Sequence, residues 1–274
     1  MSYAKLISQD LSGRVVVLTG AANGIGKHLA LQFAKKNATL IITDKNQIQL
    51  IKVKNLCEKE GCKVLIMDVT YQGSPEKAKN FIKIIESKIQ KIDYLILNHA
   101  EFQEFSLWED LKNFELVTKL FNSNFFSYIY LITYAMPMLE VSNGRIIIMS
   151  SLVGKVPHPY LSLYGATKFA LDGFFGSLKR ELILANKNVN VTFIYLGSIN
   201  TKQALANIET FRNGKLKRLI SFTDVGKACS EIIHAIHMGY DELYLPYWTV
   251  LLTIYFNRWF PWLERYITNK IFSM

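Results

Sequence analysis

The chain has 274 residues, half of them hydrophobic, and its 32 Lys and Arg against 22 Asp and Glu give a formal net charge of +10. That length suits one α/β domain or two small ones, and the apolar share is too high for a disordered chain. Three cysteines, Cys57, Cys62 and Cys229, are too few for a disulfide framework and form no metal cluster. The excess positive charge asks for an acidic partner: nucleic acid, a membrane surface or an anionic cofactor.

Residues 1–13 are polar and contain no apolar run, so the sequence shows neither a signal peptide nor an N-terminal anchor. Beyond them, short runs rich in Val, Ile and Leu at 14–19, 39–43, 63–67, 93–97, 144–150, 189–196 and 242–245 predict strands buried on both faces. Helical patterns at 24–36, 47–60, 75–90, 107–139, 160–186 and 223–237 lie between them. Strict alternation predicts right-handed βαβ units. The expected fold is α/β, a Rossmann-like doubly wound parallel sheet of about seven strands in a single domain over residues 1–245. The uncharged stretch 120–139 is long enough to span a bilayer. Asn122, Ser123, Asn124, Ser127 and Pro137 within it favour a helix in a protein core. Residues 246–274 read as a helical extension. Their rings, among them Trp248, Tyr255, Trp259, Trp262 and Tyr266, stand beside Arg258 and Arg265, which suits a helix lying in a membrane interface. Packing on its own domain or on a second subunit is the alternative.

Ligands of such sheets bind beyond the carboxyl ends of the strands. The first run ends in Thr19-Gly20-Ala21-Ala22-Asn23-Gly24-Ile25-Gly26 and then opens a helix. Gly20, Asn23, Gly24, Ile25 and Gly26 are candidates for a tight turn that lets a pyrophosphate reach the helix N-terminus. The second run is followed by Asp44, about 20 residues past the turn, where a carboxylate accepts hydrogen bonds from an adenosine ribose and repels a 2′-phosphate. Asn23 offers that phosphate no cation, so these residues favour NAD, with NADP as the alternative; Lys45 beside Asp44 offsets part of the preference. The blander reading of Asp44 is an acid at the start of the next helix. Asp68, Val69 and Asn98 follow the third and fourth runs on the same side. The fifth run ends in Ser150-Ser151; Tyr164 comes 13 residues after Ser151 and Lys168 four beyond that, one helical turn on. A free phenol titrates near 10 and is a poor base at neutral pH. A neighbouring ammonium favours the phenolate, while a serine hydroxyl holds the substrate oxygen.

With these motifs the chain resembles the short-chain dehydrogenases/reductases over nearly its whole length, residues 11–270. Within that family it is similar to the 11β-hydroxysteroid dehydrogenase type 1 and type 1-like branch through 150–156, 164–175, 196–201 and the aromatic C-terminus. The resemblance implies that Tyr164 is the general acid/base, that Lys168 lowers its pKa and holds the nicotinamide ribose, and that Ser151 orients the substrate oxygen. It implies that Asn124 positions a relay water, and that Gly197, Ile199 and Thr201 touch the nicotinamide carboxamide. Leu152 and His158 are implied as substrate-lining. The expected reaction is hydride transfer between a nicotinamide cofactor and a secondary alcohol or ketone of a small hydrophobic substrate, hydroxysteroid-like or another lipid alcohol. Departures are Glu101 where many members have Gly, His99 and Leu196, and Asp44 with Asn23 in place of an NADP-binding pattern. An NADPH-dependent ketone reductase and a membrane-docked dinucleotide-binding protein without turnover are the alternatives. No metal site and no nucleic-acid partner are expected. The two long helices carrying Phe125, Phe126, Phe174 and Phe175 suggest a homodimer or homotetramer. Arg212, Lys215, Lys217 and Arg218, with the C-terminus, suggest a membrane surface of the endoplasmic reticulum or a lipid droplet, with a cytoplasmic location as the alternative.

Overall fold

Five consecutive buried residues, Val15–Thr19 (β1), form the centre of a sheet that neither face exposes to water. The structure is a computed structural model describing residues 10–68, 74–111, 113–211 and 221–273. The other strands are Thr39–Asp44 (β2), Val64–Asp68 (β3), Tyr94–Leu97 (β4), Arg145–Ser151 (β5), Asn190–Leu196 (β6) and Glu242–Leu245 (β7). They pair in the order β3-β2-β1-β4-β5-β6-β7, and each pairing is parallel. The chain order reverses between β1 and β4, so a crevice opens there at the carboxyl edge.

Helices cover both faces because the strands are apolar on both. One face carries Gly24–Ala34 (α1), Gln47–Lys59 (α2) and, further along the chain, Val225–Met238. Leu29 and Phe33 pack there on Leu18 and Ile42. Pro75–Glu86 (α3) and the helices at Ser127–Ser142 and Ser162–Leu184 cover the other face, where Tyr128, Leu131 and Phe175 meet Val17, Leu95 and Ile148. Burying each such side chain contributes roughly 1.5–3 kcal/mol, which ties the helices to the sheet.

The single helix expected over 107–139 is four elements: Trp108–Leu111 (α4), Phe114–Phe121 (α5), a π-helical turn at Asn122–Phe126, and Ser127–Ser142 (α6). Asn113 restarts the helix by accepting the Leu116 N–H at 3.1 Å. No helix of the described residues is long and apolar enough to cross a membrane; the uncharged stretch buries Tyr128, Leu131, Ile132, Ala135, Met138 and Leu139 instead.

The remaining helices are Ser162–Leu184 (α7), Lys202–Thr210 (α8), Val225–Met238 (α9), Tyr247–Trp259 (α10) and Pro261–Ser273 (α11). The C-terminal helices are fastened to the domain. Val250 of α10 is fully buried, and Ile271 of α11 packs on Ile208 and Phe211. Val69, Arg212, Lys215, Lys217 and Arg218 lie outside the described residues.

Candidate active site

The turn after β1 is built on glycine because its backbone permits nothing else. Gly20 and Gly24 have φ of +66° and +51°, a region that side chains rarely occupy. A Cβ on Gly20 would stand 2.8 Å from the His99 Cα, and one on Gly26 would stand 2.0 Å from the Gly20 carbonyl oxygen. Asn98 fixes the turn from the next strand, donating from Nδ2 to the carbonyls of Thr19 and Gly20, both at 3.0 Å.

Helix α1 starts directly from this turn. Its N-cap, Asn23, makes no side-chain cap and its first turn holds no acid, so the leading N–H groups face an anion unopposed. Asp44, at the end of β2, lies beside the turn. Its Oδ2 accepts the Ala22 N–H and its Oδ1 the Asn46 N–H, both at 2.9 Å. Asn46, not Asp44, caps α2 by accepting the Gln49 N–H at 3.1 Å, so the helix needs no capping from Asp44. Asp68 is the register partner of Asp44 across β2 and β3. Thr201 caps α8, and its methyl lies 3.7 Å from where a Gly24 Cβ would be. Gly197 is bonded through its N–H to the Leu245 carbonyl at 2.7 Å, and Ile199 is buried. Close backbone, an open helix N-terminus and a carboxylate beside them fit a dinucleotide.

The catalytic candidates converge next to this groove. Ser151, the last residue of β5, donates to the Leu196 carbonyl at 3.2 Å and lies close enough to the Tyr164 phenol to draw its pKa down. Tyr164 and Lys168 lie one turn apart in α7, with the Lys168 Nζ 5.6 Å from the centre of the Tyr164 ring. Lys168 is 2% exposed and donates to the Met149 carbonyl at 2.9 Å. Burial disfavours charge on both groups. It pushes the phenol up to about 12, against the pull of Ser151, and brings the Lys168 amine down to about 7.

Asn124 sits in the π-helical turn, a device common at functional sites. It is fully buried. Its Oδ1 accepts the Glu101 N–H at 2.7 Å, and its Nδ2 donates to the Glu101 carbonyl at 2.9 Å and to Thr167 Oγ1 at 3.2 Å. The side chain thus straps the segment after β4 onto α7. Leu152 is partly buried against the second core cluster. His158 places Nδ1 3.1 Å from the Val156 carbonyl in its own loop.

Two features escaped the sequence reading. Gln103 is completely buried; its Oε1 accepts the N–H groups of Leu163 and Tyr164 at 2.9 and 3.0 Å, while Nε2 donates to the Tyr160 carbonyl at 3.1 Å. It caps α7 from a distance, because the local N-cap, Leu161, has no polar side chain. The local sequence gives no signal of this, because Ser162 directly after Leu161 reads as an ordinary cap. The second feature is a wall of rings beside the phenol. Phe102 lies 4.9 Å from Tyr164 and 5.8 Å from Phe105, which lies 4.7 Å from Phe211 (ring centres), and Tyr160 is 5.0 Å from Phe211.

A family model described as short chain dehydrogenase matches residues 14–210, which contain the glycine turn, Asp44, Asn124, Ser151, Tyr164 and Lys168. The chain belongs to the short-chain dehydrogenase family. Members of that family are oxidoreductases that generally bind a nicotinamide cofactor. Similar proteins include the hydroxysteroid 11-beta-dehydrogenase 1-like protein of Gallus gallus, 35% identical over 240 residues that make up 88% of this chain and 81% of that one. The protein of the same description from Xenopus tropicalis is 35% identical over 253 residues, 92% and 85% of the two chains. The Homo sapiens one is 36% identical over 197 residues, 69% and 59%.

In this dehydrogenase, Gln103→Leu keeps the bulk but leaves the Leu163 and Tyr164 amides without an acceptor. Losing such a cap costs about 1–2 kcal/mol. Displacing the phenol is expected to lower kcat by roughly ten- to a hundredfold, with cofactor affinity unchanged. Thermal unfolding beside steady-state kinetics checks this; unchanged kcat would remove Gln103 from the positioning of Tyr164.

Proposed function

We propose that the chain is an NAD-linked dehydrogenase that interconverts a secondary alcohol and a ketone on a hydrophobic substrate, hydroxysteroid-like or another lipid alcohol. The observation that carries this reading is the position of Tyr164. Its hydroxyl end meets Ser151, Lys168 stands behind its ring, and an aromatic wall of Phe102, Phe105, Tyr160 and Phe211 lies alongside. A buried acid/base next to a wall of apolar rings suits a substrate that carries one polar oxygen on a large apolar body.

The residues divide the work. The hydroxyls of Ser151 and Tyr164 bind the substrate oxygen from one side. The phenol gives a proton to that oxygen when a ketone is reduced and takes one at Oη when an alcohol is oxidised. Lys168, anchored on Met149, sits close enough for its ammonium to support the phenolate during the proton's absence. When bound, the nicotinamide cofactor supplies the hydride acceptor or donor. His99 takes no proton: burial and the nearby Lys168 charge hold it down at about 3, neutral at any working pH. Asp44 beside the glycine turn and Asn23 within it support NAD over NADP.

The C-terminal helices suit the same substrate class. α10 and α11 expose Trp248 (69%), Trp259 (72%) and Trp262 (65%) along with Tyr255 and Tyr266, and Arg258 and Arg265 stand exposed among them. Rings at headgroup depth beside cations on lipid phosphates describe docking on a membrane surface, where an apolar substrate accumulates.

Steady-state turnover of steroid and lipid alcohols with NAD and with NADP tests the catalytic reading. Because burial holds the phenol protonated at neutral pH, oxidation is expected to climb as pH rises into the alkaline range, while reduction does not gain. Tyr164→Phe should cost roughly 10²–10⁴-fold in kcat. Wild-type rates from that variant would end the proposed mechanism, and a clear preference for NADP would end the reading of Asp44. For membrane docking, Trp259→Ser with Trp262→Ser should cut co-sedimentation with anionic phospholipid vesicles several-fold and leave turnover of a soluble alcohol intact. Undiminished co-sedimentation would contradict the docking surface.

A further inference from the structure

Glu101 stands where many family members have Gly, and the structure shows what its side chain does. β2 and β4 flank β1 in the sheet, so the residues that follow them stand on opposite sides of the glycine turn. Lys45 follows Asp44 on one side and Glu101 comes shortly after β4 on the other. Their side chains form an ion pair between the Lys45 Nζ and the Glu101 Oε1, which spans the interval between those two flanks.

The two partners are unequally fixed. The Glu101 backbone is held at both its N–H and its carbonyl by Asn124, and its side chain is 20% exposed against 60% for Lys45. Glu101 is therefore the anchored member, and Lys45 the longer, freer one drawn towards it. A second cation, Lys119 of α5, reaches Glu101 Oε2 at 4.0 Å, which reinforces the carboxylate's position. Asp44, meanwhile, is turned towards the glycine turn by Ala22 and Asn46.

We propose that Glu101 is a cofactor-specificity residue: by occupying Lys45, it withholds from the adenosine pocket the cation that a 2′-phosphate would need. The inference rests on the NAD reading and deepens it. Asp44 repels the phosphate, Asn23 offers it no charge, and Glu101 keeps the cation adjoining Asp44 engaged elsewhere. Phosphate recognition in such pockets requires a free Lys or Arg to meet the added negative charge.

The test measures binding, separately from turnover. Isothermal titration of the full chain with adenosine 5′-monophosphate and with adenosine 2′,5′-bisphosphate gives the ratio of the two dissociation constants. The wild type is expected to bind the monophosphate more tightly. Glu101→Gln keeps shape and backbone contacts but frees Lys45, and should shift the ratio towards the bisphosphate by about fivefold, the order that a partly exposed ion pair carries. Adding Lys45→Gln to that variant should remove most of the shift. Monophosphate binding by each variant reports that its pocket is intact. A ratio unmoved by Glu101→Gln, or a shift that survives the loss of Lys45, overturns the role of Glu101 and leaves the NAD reading standing. A wild type that favours the bisphosphate overturns both.

Discussion

The arrangement depends on one short strap of chain, residues 98–103, and on how completely its polar groups are used. Asn98 ties down the glycine turn. His99 joins Thr19 through Nδ1 at 2.8 Å and Ser127 through Nε2 at 2.7 Å, and its carbonyl accepts the Tyr128 hydroxyl at 2.7 Å. Glu101 is clasped by Asn124 and paired with Lys45. Gln103 ends the strap by capping the helix that carries Tyr164. Buried polar groups are costly unless satisfied, so this strap has few alternative positions. It joins the glycine turn to the start of the helix that carries Tyr164.

Around that strap the site is kept in a low-dielectric setting. Lys168 reaches the interior and donates to the Met149 carbonyl, and burial lowers the basicity of its amine. The same burial keeps the proton on Tyr164. An acid/base pair in such surroundings responds strongly to any charge brought beside it. Rings of Phe102, Phe105 and Phe211 beside the phenol add to that low dielectric.

The parts of this account legible in the sequence are those written locally. Runs of Val, Ile and Leu mark the strands because both faces are buried, and β7 falls where the pattern places it, at Glu242–Leu245. The glycine turn and the Tyr164–Lys168 spacing are local too, since each needs only a few neighbouring residues. Asn124 was reached through family resemblance alone, because a π-helical turn differs from an α-helical one by a single extra residue and leaves no periodic trace. Gln103 acts on amides about 60 residues away, and the ring wall is assembled from three separate loops, so neither has a signature in its own segment. Glu101 was visible as a departure from the family pattern; its partner became visible only when the sheet order placed β2 and β4 either side of β1.

Amide hydrogen exchange at the strap is the most direct measurement of this coupling. The Glu101, Leu163 and Tyr164 N–H groups donate to side chains of Asn124 and Gln103, outside any helix or strand ladder. If the strap holds the two halves together, these amides exchange slowly, with similar protection, far more slowly than the exposed start of α7 at Ser162. Exchange of the three at the rate of an open loop would show that the strap does not hold, and the account of the site would fall with it.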